Sequence, residues 1–382
     1  MEIGSPARRL RPAACSRTQG AAFRCRSLYV LDYQWPADAQ KWFRGAERIS
    51  PHMQLCAKAR IAVAVLTLAL PAATWAANCT TQAALLPQDR NALAAAGSRL
   101  ATAVVQQDLT TLQAALLPAE AADWNGIREV VEQAGPLVKG GQAQIQNLYL
   151  LDSTTQANTA DTQFFCSNAS GSLTVTISMR GLPPGRYAVI LADAAGAAYA
   201  GQIGLILAWD TSSTPAWKLG GVSVRAGVLD GHDGKWYWTR ARELSSLGIP
   251  WAAWYCYEAA RYLLLPVDFL SSPNLEKLGN EQAQIKSSPA DAFPLSLPSG
   301  DRTWKIDSVH FDPSLREPDL GVTYESTGVT DPAAQRTEAI SVLSAFLKAQ
   351  PGLRENFHGL WAYAVNNGKT TPVMELPMAQ IP

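Results

Sequence analysis

The chain has 382 residues, 47% of them hydrophobic and 17% charged, with twelve Trp and a formal net charge of zero. This composition excludes a disordered tail protein, a collagen-like fibre and a polytopic membrane protein, and the length suits two or three domains. The zero hides an asymmetry: residues 1–76 carry eleven Lys and Arg against four acids, a net +7, so the remainder is −7. An acidic body without a Lys/Arg stripe lacks the electrostatic footprint that phosphate backbones need, so no nucleic-acid partner is expected.

From Met53 the sequence reads as a secretory signal peptide. Lys58 and Arg60 precede a thirteen-residue apolar run, Ile61 to Ala73, and Thr74-Trp75-Ala76 offers small residues for cleavage before Ala77. The run is too short to span a bilayer, so membrane contact is expected only if this segment stays uncleaved. Residues 1–52 are Arg-rich without apolar periodicity, and a signal peptide belongs near a start codon. Translation is therefore expected to start at Met53, with residues 1–52 as upstream sequence and the mature protein periplasmic or secreted.

Six Cys become three without the leader: Cys79, Cys166 and Cys256. An oxidising compartment permits one bridge, and Cys79 with Cys166 is the expected pair, because Cys256 lies in an apolar helical pattern that suits a buried free thiol. No CxxC and no Cys/His cluster occurs, so neither a zinc site nor another cofactor is expected.

Residues 87–117 read as helix, with Leu93, Leu100, Val104 and Leu112 at helical spacing and possible breaks at Gly97 and Asp108. A second helix spans about 120–138, stopped by Gly140-Gly141. The period then changes to 2. Leu173, Val175, Ile177 and Met179 alternate with Thr174, Thr176 and Ser178, and the Pro183-Pro184-Gly185 turn predicts a hairpin with a return strand from Arg186 to Leu191. Further strands are expected at QIQNLYLLD, TQFFCS, GQIGLILAW and AWKLGGVSV. Helices followed by antiparallel strands predict an α+β unit, a curved sheet packed on the helices.

The helix broken at Asp108 in Val105-Gln-Gln-Asp108-Leu-Thr-Thr-Leu112, with Trp217-Lys218-Leu219 opening a late strand, resembles the nuclear transport factor two-like superfamily, the cystatin-like cone, over about 85–225. The resemblance implies a conical pocket between sheet and helices. Tyr149, Met179, Tyr187, Trp209 and Trp217 are the residues expected to line it. Asp193 and Asp210 are acid-base candidates for a hydrolase or isomerase built on such a pocket, although both fall at strand ends, where turn-making is the commoner role.

Asp233 is placed to cap a helix that Gly248 closes, and Pro250 opens a second helix that ends before Pro266. Ala241, Leu244, Gly248, Ala253, Tyr257 and Ala260 fall at nearly the spacing of one tetratricopeptide repeat, so a single such helical hairpin is expected, with a third helix at 274–285. His232 beside Asp233 is a further catalytic candidate, read first as a turn and a cap. Trp238, Trp251 and Trp254 are candidates for an aromatic binding face. Beyond the Ser/Pro-rich connector 289–298 the order reads ββαββ, with His310 and His358 isolated.

The expected organisation is thus an upstream leader (1–52), a signal peptide (53–76), a cone-like α+β domain (77–227), a helical hairpin (228–288) and a small α+β domain (289–382). No nucleophile triad, phosphate loop or HExxH motif occurs after residue 76. The function expected is a non-enzymatic module that binds a small apolar ligand or another envelope protein, with the cone-pocket enzyme as the alternative.

Overall fold

The computed structural model describes residues 77–212 and 214–382; the expected leader and signal peptide lie outside the described residues. A short strand β1 (Asn78–Thr81) precedes helices α1 (Pro87–Gln106), α2 (Leu109–Ala114) and α3 (Trp124–Val138). The break between α1 and α2 falls where the sequence places it. Gln107 takes a left-handed φ of 55° and closes α1, and the Asp108 carboxylate accepts from the Thr111 N–H at 3.0 Å to open α2.

Six long strands follow: β2 (Gln142–Asp152), β3 (Ala160–Ser167), β4 (Leu173–Leu182), β5 (Arg186–Ala195), β6 (Gln202–Asp210) and β7 (Ala216–Arg225). They form two sheets instead of one. The first is five-stranded and antiparallel, in the order β1-β2-β5-β6-β7; the second pairs β3 with β4, and β4 with a two-residue strand β10 (Leu270–Ser271). The expected β4–β5 hairpin is therefore corrected. Both strands form, yet β5 pairs with β2 and β6, and the Pro183-Pro184-Gly185 segment carries the chain from one sheet to the other.

Burial supplies the reason. The run Ala188 to Ala192 is apolar at every position and buried throughout, which suits a central strand covered on both faces; β4 alternates and keeps one polar face. Leu148, Ala188, Ile190, Leu205 and Leu219 face α1 and α3, whereas Leu151, Val189 and Leu191 face Phe164, Ile177 and the segment 265–275. The first half is a layered stack of helices, five-stranded sheet and second sheet. Cys79 and Cys166 are bonded with their Cα atoms 5.0 Å apart, tying β1 to β3 across the two sheets, and Cys256 is buried and free.

Strands β8 (Val228–Leu229) and β9 (His232–Asp233) make a minimal hairpin leading into α4 (Gly234–Ser246), α5 (Pro250–Leu264) and α6 (Pro273–Ala283). The C-terminal sheet has five strands in sequence order: β11 (Leu295–Ser299), β12 (Arg302–Asp312), β13 (Asp319–Glu325), β14 (Gly359–Asn366) and β15 (Lys369–Pro377). Strand β11 lies inside what reads as a connector, so the order is βββαββ. β13 and β14 are parallel, joined by the crossover helix α7 (Pro332–Ala349), which Asp331 caps.

The helical hairpin is not a free-standing segment. Its buried face and that of the C-terminal sheet form one core, in which Trp251 meets Phe346 at 5.7 Å and the Tyr255 hydroxyl donates to Val309 O at 3.1 Å. The architecture is mixed α+β with open sheets. No helix among the described residues is long and apolar enough to cross a membrane.

Candidate functional site

The residues expected to line a conical pocket are divided by the sheet that carries them. Tyr149, Met179 and Tyr187 pack on the side of the second sheet, whereas Trp209 and Trp217 pack on the helical side, in edge contact with each other at 5.3 Å. One strand's neighbouring residues point to opposite faces, so these five cannot share a cavity. Asp193 lies near the end of β5, paired with Gln144 and Gln202, and partial burial pushes its carboxyl above the ordinary value. Asp210 accepts from the Ser212 N–H and hydroxyl, a turn-making role.

The hairpin aromatics are also packed. Trp251 is core, Trp254 is half-buried, and the Trp238 indole donates to Glu281 Oε2 at 2.7 Å beneath the Arg242 guanidinium. Glu281 gathers Arg242, Trp238 and Tyr257, and its carboxyl is held below the ordinary value, chiefly by the Arg242 hydrogen bonds.

A different constellation opens where α4 meets the C-terminal sheet. Asp230 and Gly231 take positive φ of 47° and 72°, the two-residue turn that closes the β8–β9 hairpin. That turn delivers His232 to the surface just before Asp233, which caps α4 by accepting from the Trp236 N–H at 2.8 Å. One turn of chain later the Trp236 ring, 41% exposed, stacks on His232 with centroids 3.7 Å apart and planes within 6°. These groups line a cleft of roughly 520 Å³ with Asp230, Arg240 and Glu243 on the α4 side and Glu355, Asn356 and His358 from the turn before β14. Arg240 Nε donates to Asn356 Oδ1 at 3.0 Å across a separation of 116 residues and so fixes the two walls.

His358 connects the cleft to the interior. Its Nδ1 lies 2.9 Å from Oδ1 of Asp319, whose side chain is fully buried, while the ring itself remains 40% exposed. Burial alone would lower the His358 pKa, but the hydrogen bond and charge of Asp319, with Glu317 and Glu375 behind it, carry it above the ordinary value. Burial raises Asp319 more than His358 lowers it, and Glu375 is raised by burial and by the Asp319 charge. Ligand-type atoms of Asp319, His358 and Glu375 all lie within 4.8 Å of one another.

Beside this trio, Asp312 accepts from the Tyr363 hydroxyl at 2.6 Å and lies 3.7 Å from His310 Nε2. Together with the Ser314 N–H, which donates to Asp312 Oδ1 at 3.0 Å, these partners outweigh burial and hold its carboxyl well below the ordinary range. His310 and His358 are thus not isolated. Their partners are two and 39 residues away, and for His358 the separation hides the pair until the parallel β13–β14 pairing brings their ends together. Only the Asp-Pro-Ser that ends β12 at Asp312 and the Pro-Asp that starts β13 at Asp319 hint at carboxylates held at strand ends.

Compared with known proteins, the chain matches no family model, and no curated protein and no solved structure shows significant similarity to it.

Proposed function

We propose that this is an exported, non-enzymatic protein that binds a small polar ligand, or a polar peptide segment, in the cleft between α4 and the turn before β14. The observation that carries the reading is the Trp236 indole, stacked on His232 yet 41% exposed at the wall of that cleft. An exposed large aromatic held rigidly at a concave surface supplies contact area at little further entropic cost. Around it stand a guanidinium, two imidazoles and three carboxylates, from Asp230, Glu243 and Glu355. This lining suits a ligand that carries both charges, such as an amino acid or short peptide, better than an apolar one.

Export is supported by the Met53 to Ala76 pattern and by the Cys79–Cys166 bridge, which belongs in an oxidising compartment. The cone likeness is supported by α1 and α3 lying on one face of the five-stranded sheet. The binding reading does not use that part of the molecule.

A thermal-shift screen with amino acids and di- and tripeptides tests the proposal. At least one compound should raise the melting temperature of the wild type and lose that effect in Trp236→Ala and His232→Ala. A panel without any such compound, or a compound acting equally on all three proteins, refutes it.

A further inference from the structure

We propose that Asp319, His358 and Glu375 bind a single divalent first-row transition-metal ion. The inference goes beyond the cleft reading and does not require the cleft to hold a ligand.

The three residues sit at one end of three adjacent strands. Asp319 begins β13, His358 immediately precedes β14, and Glu375 lies opposite Trp361 in β15. Backbone bonds fix that end: the His358 N–H donates to Pro318 O at 3.1 Å, and Met378 N–H donates to His358 O at 2.8 Å. The ligand-type atoms, one from each residue, all lie within 4.8 Å of one another, close enough to be drawn onto one ion at about 2.0–2.2 Å.

Unmet hydrogen-bonding capacity points the same way. Asp319 is fully buried and its Oδ2 has no partner; Glu375 Oε1 is also buried without one. Two such oxygens in one place are expensive, because a carboxylate taken from water needs either donors or positive charge. Among the described residues no Lys or Arg forms an ion pair with either group, and Asp319 is faced by the His358 ring and the Trp361 indole.

The backbone keeps the place open. A Cβ on Gly359 would collide with Glu375 Oε1 and crowd Leu376 O and Asp319 Oδ1, so the two carboxylates can stand here only beside a glycine. A set of one imidazole and two carboxylates without thiolate fits zinc, manganese or iron(II) better than the all-oxygen shells of calcium and magnesium. Three protein ligands leave coordination positions for water. His358, whose Nδ1 already lies beside Asp319, would use that nitrogen for the ion.

The test uses the full chain stripped with EDTA and titrated calorimetrically with Zn²⁺ alone, then with Co²⁺, followed by its visible absorption. One equivalent of each ion should bind, with Co²⁺ developing visible bands. Asp319→Asn and Glu375→Gln should each weaken binding at least about tenfold, while His232→Ala leaves it unchanged. Glu375 is only partly buried, so its variant keeps the test valid if Asp319→Asn fails to fold. Absence of one-equivalent binding, or affinity unaltered in Glu375→Gln, overturns the proposal. Because His232→Ala should spare metal and abolish the cleft's thermal shift, failure of either proposal is visible without the other.

Discussion

Reducing the Cys79–Cys166 bridge should remove a large part of the stability of the N-terminal half. The bridge spans 87 residues of sequence. In the chain-entropy account, closing a loop of that length lowers the entropy of the unfolded chain enough to stabilise the fold by about 4–5 kcal/mol at 25 °C. The native state adds a local reason. β1 has four residues, is held by its pairing with β2, and has one side-chain tie to β3, Thr81 Oγ1 to Ser167 O at 3.2 Å. Without the bridge β1 should fray and uncover the core under Cys166, which is fully buried. The assay is urea unfolding followed by tryptophan fluorescence, with oxidised wild type, reduced wild type and Cys79→Ala/Cys166→Ala compared. Reduced wild type isolates the cross-link, and the double variant adds the loss of two sulfurs from the core. Cys256 does not complicate exchange in the folded protein, because burial pushes its thiol up to about 12. If peptide mapping shows the bridge open and the unfolding free energy falls by less than about 1 kcal/mol, the entropic argument fails for this fold.

Two other substitutions probe packing, and a third probes a partly exposed charge cluster. Gly204→Ala should destabilise by about 1–3 kcal/mol, because its Cβ would stand 2.3 Å from Val267 Cγ1 where the segment 265–271 crosses β6; Val267→Ala in the same chain should recover part of that loss, and a double variant worse than Gly204→Ala refutes the clash. Phe346→Ala, fully buried against Trp251, should cost about 3–5 kcal/mol in denaturant unfolding. The Glu281 carboxyl has a lowered folded-state pKa, so its contribution is present above the ordinary glutamate value and is lost as pH falls through the folded value. Wild type minus Glu281→Gln should therefore give a stability difference that is largest near neutral pH and vanishes in acid. At this partly exposed position it should not exceed about 1 kcal/mol, and a difference that grows on acidification would contradict the sign.

Local rules were readable wherever one short stretch decides the outcome. Asp108, Asp233 and Asp331 each open a helix through a side-chain bond to a backbone N–H three residues on. Strand positions β2 to β7 also followed from their apolar runs. Partner choice did not, because proximity along the chain favours pairing β4 with β5, whereas the continuous burial of Ala188 to Ala192 demands a central place that β4 cannot share. The same limit hid the candidate site. His358 and Asp319 carry no motif, and their meeting depends on a parallel pair that only a crossover helix permits. The Trp236–His232 stack was closer to legible, since a helix N-cap at Asp233 fixes a spacing of four residues across its start. Exposure, however, is decided by what the remaining chain leaves uncovered, and Trp238, two residues further on, was claimed by Glu281.

The cleft is a property of the seam between two segments that the sequence divides at a Ser/Pro-rich stretch. Its α4 wall and its 355–358 wall keep their spacing because α5 and α7 share one core through Trp251, Tyr255 and Phe346. Tyr255 reaches across to Phe357, the residue before His358, with centroids 6.3 Å apart. Core packing therefore sets where the His358 ring stands relative to Arg240 and Trp236. The Trp236 indole, the His232 imidazole stacked on it and the His358 imidazole stand partly exposed along that seam. The cleft is therefore walled by residues of both segments, with its width set by the core beneath it.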